Sequence, residues 1–199
     1  MNNKIKHNGI AQSIYYLLFC IFISLVIPAH ATKVNNIELK ESIKLGKANL
    51  LLNGAGLRSK FFIDLYIGAL YLSDKTQDAQ AIINSDELML IQIHVISNLI
   101  TSENLSRGTA EGFSKSTNNN TAAIQNQIDD FLDAFKETVT IGDIFEIVYQ
   151  PDIGVTVVKN RHITKRMSAS LAFKKALFGI WLSDKPAQDS LKSSMLGKK

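Results

Sequence analysis

The amino-terminal 31 residues set the terms for everything that follows them. Lys4 and Lys6 precede an apolar run from Ile14 to Ile27, and Pro28 then leads into Ala29-His30-Ala31. A cationic start, an apolar segment and a triplet with small residues at both ends form the pattern of a secretory signal peptide, with cleavage expected after Ala31. An apolar run of about 14 residues falls short of the roughly 20 that cross a bilayer, so release is expected and a retained transmembrane anchor is not. The only cysteine, Cys20, lies inside that run. The domain expected over residues 32–199 is therefore exported, periplasmic or secreted, without a thiol, and must be stabilised by one hydrophobic core rather than by disulfides.

Charge narrows the partner classes. Without residues 1–31 the chain carries 20 basic against 18 acidic side chains, a formal net charge of +2 where the full chain has +4. No basic stripe interleaved with aromatics occurs, so no nucleic-acid partner is expected. Oligomeric state is open.

Hydrophobic periodicity gives the order of elements. Val34–Ile37, Ile43–Leu45 and Leu50–Asn53 read as short strands, with Asn53-Gly54-Ala55-Gly56 as a turn. Phe61–Leu72, rich in aromatic and β-branched residues, reads as a long central strand; a short helix over Asp78–Ser85 and a second long strand over Leu88–Ile96 follow. Thr101–Ser116 carries a helix N-cap signal, and after the break at Asn118–Asn120 the residues Ile124, Ile128, Phe131, Leu132 and Phe135 recur at helical spacing. Asp143–Tyr149, Gly154–Lys159 and Arg161–Thr164 predict a β-meander, and helices over Ser168–Phe178 and Pro186–Leu196 close the chain. Strands, helices, then strands and helices again predict an α+β domain: an antiparallel sheet layered by helices.

Two motifs then carry a resemblance. Asn53-Gly54-Ala55-Gly56-Leu57-Arg58 followed by Phe61 through Leu72 resembles the front of the chalcone isomerase fold. Ala176-Leu177-Phe178-Gly179-Ile180-Trp181-Leu182-Ser183-Asp184-Lys185-Pro186, with Leu191-Lys192 and Leu196-Gly197, is similar to the end of the exported bacterial chalcone isomerase-like branch. The resemblance covers the whole of residues 32–199. It implies an open-faced β-sandwich, a large curved antiparallel sheet with a helical layer and an apolar ligand cleft between them.

The resemblance also assigns residues. In chalcone isomerases an arginine after the glycine turn stabilises a phenolate during ring closure, and Arg58 occupies that position; its forked guanidinium suits a phenolate or a carboxylate. Tyr66 stands where those enzymes carry a threonine. Their helix-borne tyrosine and asparagine have no equivalents between Leu99 and Phe113, so chalcone cyclisation by an intramolecular lyase is the alternative reading rather than the first. A non-catalytic relative of the same fold binds fatty acids through the arginine and a tyrosine, which Arg58 with Tyr66 or Tyr71 reproduces. The expected partner is thus an apolar, anionic, fatty-acid-like small molecule.

No cofactor is expected, and His94 and His162 lack the spacing of a metal site. His94, set between Ile93 and Val95, is the one outside candidate for haem iron, depending on which face of its strand it occupies. Trp181, flanked by Ile180 and Leu182, is read as sealing the core. The sequons Asn104-Leu105-Ser106 and Asn119-Asn120-Thr121 are read as accidental, and no spacing assembles a hydrolase triad or a carboxylate pair.

Overall fold

The computed structural model describes residues 32–198; the expected signal peptide, with Cys20 and its cleavage point, lies outside them. A small hairpin comes first, β1 (Thr32–Val34) and β2 (Ile37–Leu39). Its turn is Asn35-Asn36, both at positive φ, a conformation that asparagine tolerates because its short amide bonds locally. Then come β3 (Ser42–Leu45), β4 (Ala48–Lys60), β5 (Ile63–Leu72), β6 (Met89–Val95), β7 (Ile144–Gln150), β8 (Gly154–Lys159) and β9 (His162–Met167). They form one seven-stranded antiparallel sheet in chain order, β3-β4-β5-β6-β7-β8-β9. This is the curled sheet of an open-faced sandwich, the antiparallel sheet layered by helices that the order of elements predicts.

Helices interrupt the meander at two places and end it. Helix α1 (Ala79–Asn84) starts at Asp78, whose carboxylate accepts from the Gln80 and Ala81 amides. Between β6 and β7 run α2 (Ser102–Ser116), capped by Thr101, and α3 (Gln125–Leu132) with a 3₁₀ turn on either side. After β9 come α4 (Leu171–Leu182) and α5 (Asp189–Met195). The expectation that α4 stops near Phe178 is corrected: the helix runs on through Trp181, because that turn too is buried. No helix among the described residues is long and apolar enough to cross a membrane.

The helix-covered inner face of the sheet holds the main core. Phe113, Phe131, Phe135, Phe145 and Phe173 pack there with ring centroids 5.3 to 6.0 Å apart, mostly edge to face, as ring quadrupoles prefer. One cation is buried in the same layer. Lys174 of α4 is wholly enclosed, and its Nζ donates to the carbonyls of Ile82 (2.7 Å), Ile83 (3.0 Å) and Ser85 (2.6 Å). Those oxygens belong to the end of α1, where helix geometry leaves carbonyls without partners, so one ammonium closes that helix. On the outer face a second apolar cluster contains Leu50, Leu52, Ile67, Ala69, Tyr71 and Leu90, with Val34 and Ile37 of the first hairpin packed against it.

Asn53–Gly56 is a strand interior and not the expected turn. The glycines are there for close approach: a Cβ on Gly54 would lie 2.1 Å from the Ser194 carbonyl oxygen, and one on Gly56 2.5 Å from Ser194 Cβ. Helix α5 therefore lies directly on the backbone of β4. Asn53 fixes it there, its amide donating to Met195 O (2.9 Å) while its own Oδ1 accepts from the Thr76 amide (2.8 Å).

Candidate functional site

Strand pairing brings Arg58 and Tyr66 side by side. They are cross-strand partners in the β4–β5 register, next to the bulge between Arg58 and Ser59, and both face the helices. Tyr66 is buried, and its hydroxyl accepts from the Trp181 indole N–H at 3.0 Å. Burial raises the Tyr66 pKa above the ordinary phenol value; the Trp181 bond, the Arg58 charge and an Arg58 hydrogen bond act in the opposite direction and do not offset it. The phenol stays protonated, a donor and acceptor beside a permanent cation. Trp181 does help to seal the core, and it also orients the hydroxyl.

Arg58 is half-buried and has no carboxylate partner among the described residues. Its Nη1 donates to Ser59 O (2.5 Å) and to Gln188 Oε1 (3.0 Å). The same Gln188 oxygen accepts from the Ser59 amide at 2.9 Å. A guanidinium and a backbone N–H thus converge on one oxygen, an arrangement equally suited to a carboxylate or phenolate oxygen. Gln188 supplies that oxygen from the residue immediately before α5. Nothing in the sequence marked it, because an isolated glutamine beyond the last predicted strand has no periodicity or motif to distinguish it.

The floor beside this niche is bare backbone. Gly56 and Gly68 are directly paired, and the space above Gly68 is taken by Leu191, Tyr66 and Met195 at 3.4, 3.5 and 3.7 Å from a notional Cβ. Deeper between sheet and helices, the aromatic side chains fill the layer. A cavity of about 610 Å³ opens elsewhere, in the helical layer, among Ile83, Lys115, Asn118, Ile124, Lys175 and Lys185. Neither Arg58 nor Tyr66 lines it.

The other expected site residues lie apart. Tyr71 is an odd number of positions from Tyr66 along β5 and so points to the outer face, where its hydroxyl donates to Lys40 O (3.1 Å). Burial, with Glu41 and Glu146 nearby, pushes its pKa up. His94 is also on the outer face, opposite Ile93 and Val95 of the main core. Its Nε2 sits 2.7 Å from Gln92 Oε1, Gln92 in turn donates to Glu146 (3.0 Å), and burial lowers the His94 pKa. Its ring is therefore turned away from Arg58, into a polar row between β6 and β7. No group of three or more metal-binding side chains occurs among the described residues.

Comparison with known proteins follows the same outline. A family model described as chalcone isomerase-like matches residues 31–197. No curated protein matches the chain. Among solved structures, a fatty-acid binding protein of Arabidopsis thaliana superposes with a TM-score of 0.63 at 13% identity, over 81% of this chain and 92% of that one. At that identity the likeness is one of fold.

Proposed function

Because the chain belongs to the chalcone isomerase-like family, we propose that it is a non-catalytic binder of an aliphatic carboxylate, exported after loss of residues 1–31. The observation that carries this reading is Gln188 Oε1, held at 3.0 Å by Arg58 and 2.9 Å by the Ser59 amide. That carboxamide oxygen stands in for one carboxylate oxygen of the ligand. A carboxylate arriving there brings a negative charge to the guanidinium where the amide offers only a neutral acceptor, so the bond becomes an ion pair. Tyr66 supplies a neutral hydroxyl beside it.

The tail follows from what surrounds the niche. Displacing Gln188 moves the residue that leads into α5, and α5 contributes Leu191 and Met195 to the strip above Gly56 and Gly68. An alkyl chain entering as α5 shifts replaces those two side chains on an apolar, side-chain-free floor. One anchored charge beside apolar side chains is the usual polar-to-apolar make-up of a small-ligand site, and here Leu191 and Met195 hold the place of the tail until they move. The fold of a fatty-acid binding protein from Arabidopsis thaliana supports the same reading. Against ring closure stands the hydroxyl itself: Tyr66 is committed to Trp181, and its raised pKa leaves no base at the guanidinium.

The test is native mass spectrometry of the protein recovered from its own compartment, followed by extraction of the bound molecule and an absorption spectrum. The reading expects a long-chain carboxylate at one per chain, an amino terminus at Thr32, and loss of the ligand in Arg58→Ala. Gln188→Glu places a tethered carboxylate on Arg58 and is expected to empty the site without unfolding the protein. A haem spectrum, an empty wild-type protein or turnover of a chalcone-like substrate would contradict the reading.

A further inference from the structure

Among the described residues, three two-residue turns between adjacent strands place both residues at positive φ: Asn35-Asn36, Asn160-Arg161 and Phe61-Phe62. The first two contain asparagine, which accepts this conformation readily. Phe61-Phe62, joining β4 to β5, does not: two bulky residues hold φ values of 51° and 64° where Asn-Gly is the favoured pair. Their side chains are barely covered by the fold, for Phe61 is 82% exposed and Phe62 106% exposed. The hairpin keeps an unfavourable pair of residues at its tip and shows both rings to solvent.

The tip does not stand alone. In an antiparallel meander the end of β4, the start of β5, the end of β6, the start of β7, the end of β8 and the start of β9 all lie at one end of the sheet. The exposed apolar residues Ile63, Leu99, Ile141 and Ile163 all belong to that end. Its carboxylates are mostly engaged: Glu103 faces Arg107, Glu137 and Asp143 face Lys159, and Asp64 accepts from Ser59. Lys60 and Arg161 have no acidic partner among the described residues, and Lys60 Nζ rests 5.6 Å from the Phe61 ring centre. The result is an aromatic tip, a ring of lesser apolar residues, and two cations outside any ion pair at an end whose four basic and four acidic side chains otherwise balance.

We propose that this end of the sheet docks on an anionic lipid bilayer, with Phe61 and Phe62 inserted at the headgroup boundary and Lys60 and Arg161 against lipid phosphates. A narrow tip offers a protein partner little area, whereas a bilayer closes around it, and apolar Phe side chains flanked by Lys and Arg are groups that favour that interface. Docking stands independently of the ligand reading. Should both hold, Arg58 lies only three residues, or about 10 Å of strand, from the inserted tip.

The experiment uses the intact protein and vesicles of phosphatidylglycerol and phosphatidylethanolamine. Phe62→Trp places a reporter at the tip, and its emission is expected to shift to the blue and to be quenched by brominated acyl chains. Phe61→Asn with Phe62→Gly restores a favoured turn, so its thermal midpoint is expected to hold or rise while partitioning falls at least tenfold. Replacing phosphatidylglycerol with a zwitterionic lipid is expected to weaken binding of the wild type. An unshifted, unquenched tip tryptophan overturns the proposal, as does full partitioning of the Asn-Gly variant.

Discussion

Tyr66 and Tyr71 stand five residues apart on one strand and have opposite surroundings. Tyr66 faces the helical layer, with a cation beside it and an indole N–H on its oxygen; Tyr71 faces the outer cluster, donating to a backbone carbonyl with carboxylates nearby. Burial raises both pKa values, yet Arg58 works against the rise at Tyr66, whereas Glu41 and Glu146 add to it at Tyr71. The inner face concentrates buried polar groups that depend on one another, while the outer face carries an apolar cluster and an open polar row. The proposed ligand anchor lies on the inner face, where the permanent cation Arg58 has the neutral Gln188 as its side-chain partner.

Substitutions should separate the faces, beginning with the inner one. Lys174→Met takes the ammonium from three α1-end carbonyls, leaving those of Ile83 and Ser85 without a donor while Ile82 O keeps Ser85 Oγ, and is expected to cost about 3 kcal/mol, read by chemical denaturation. Burial lowers the Lys174 pKa to about 8. Between pH 8 and 10 the folded protein has released a proton that the unfolded chain still holds, so wild-type stability rises with pH across that window. Tyr149, pushed up to about 12 by burial and by Asp86, then keeps a proton that the unfolded chain has lost, so stability falls from pH 10 to 12. The rising limb is expected to vanish in Lys174→Met and the falling limb to remain; an unchanged rising limb would remove Lys174 as its cause.

Gly54→Ala forces a methyl onto the Ser194 carbonyl and is expected to cost about 2 kcal/mol while lifting α5, visible as faster amide exchange over residues 189–195. Its outer neighbour, Ala55→Gly, should leave that exchange unchanged. Tyr66→Phe strands the buried Trp181 N–H at a cost of about 1–2 kcal/mol, whereas Tyr71→Phe, losing a bond at a partly buried carbonyl, costs about 1 kcal/mol. Equal losses for the two tyrosines would dissolve the contrast between the faces. Smallest of all, His94→Gln in the half-exposed outer row should stay within about 0.5 kcal/mol.

The strand order, the helix pair before the meander and the inward face of α3 were legible because periodicity reports burial directly. Arg58 with Tyr66 followed from the motif, and their contact follows from cross-strand pairing. The grouping of Tyr71 with them did not hold, since strand parity separates residues an odd number apart. Asn53–Gly56 read as a turn because close backbone approach and chain reversal select the same residue; only the position of α5 tells them apart. Phe61-Phe62 read as strand because its composition contradicts the turn it forms. Lys174, next to Lys175 in a helix otherwise without charge, and Gln188, alone between two helices, act through partners distant in sequence, which no local pattern encodes.

The central claim is that Arg58 holds an anion in place of Gln188. The chain has a single tryptophan, and its indole N–H is bonded to the tyrosine beside Arg58, so its emission reports on the site without a label. The decisive measurement is a titration of ligand-stripped protein with a sixteen-carbon fatty acid, followed by Trp181 fluorescence, for wild type, Gln188→Ala and Arg58→Ala. The account predicts a saturable change at one ligand per chain, tighter in Gln188→Ala and at least tenfold weaker in Arg58→Ala. Binding of undiminished affinity in Arg58→Ala, or no saturable change in the wild type, would contradict it.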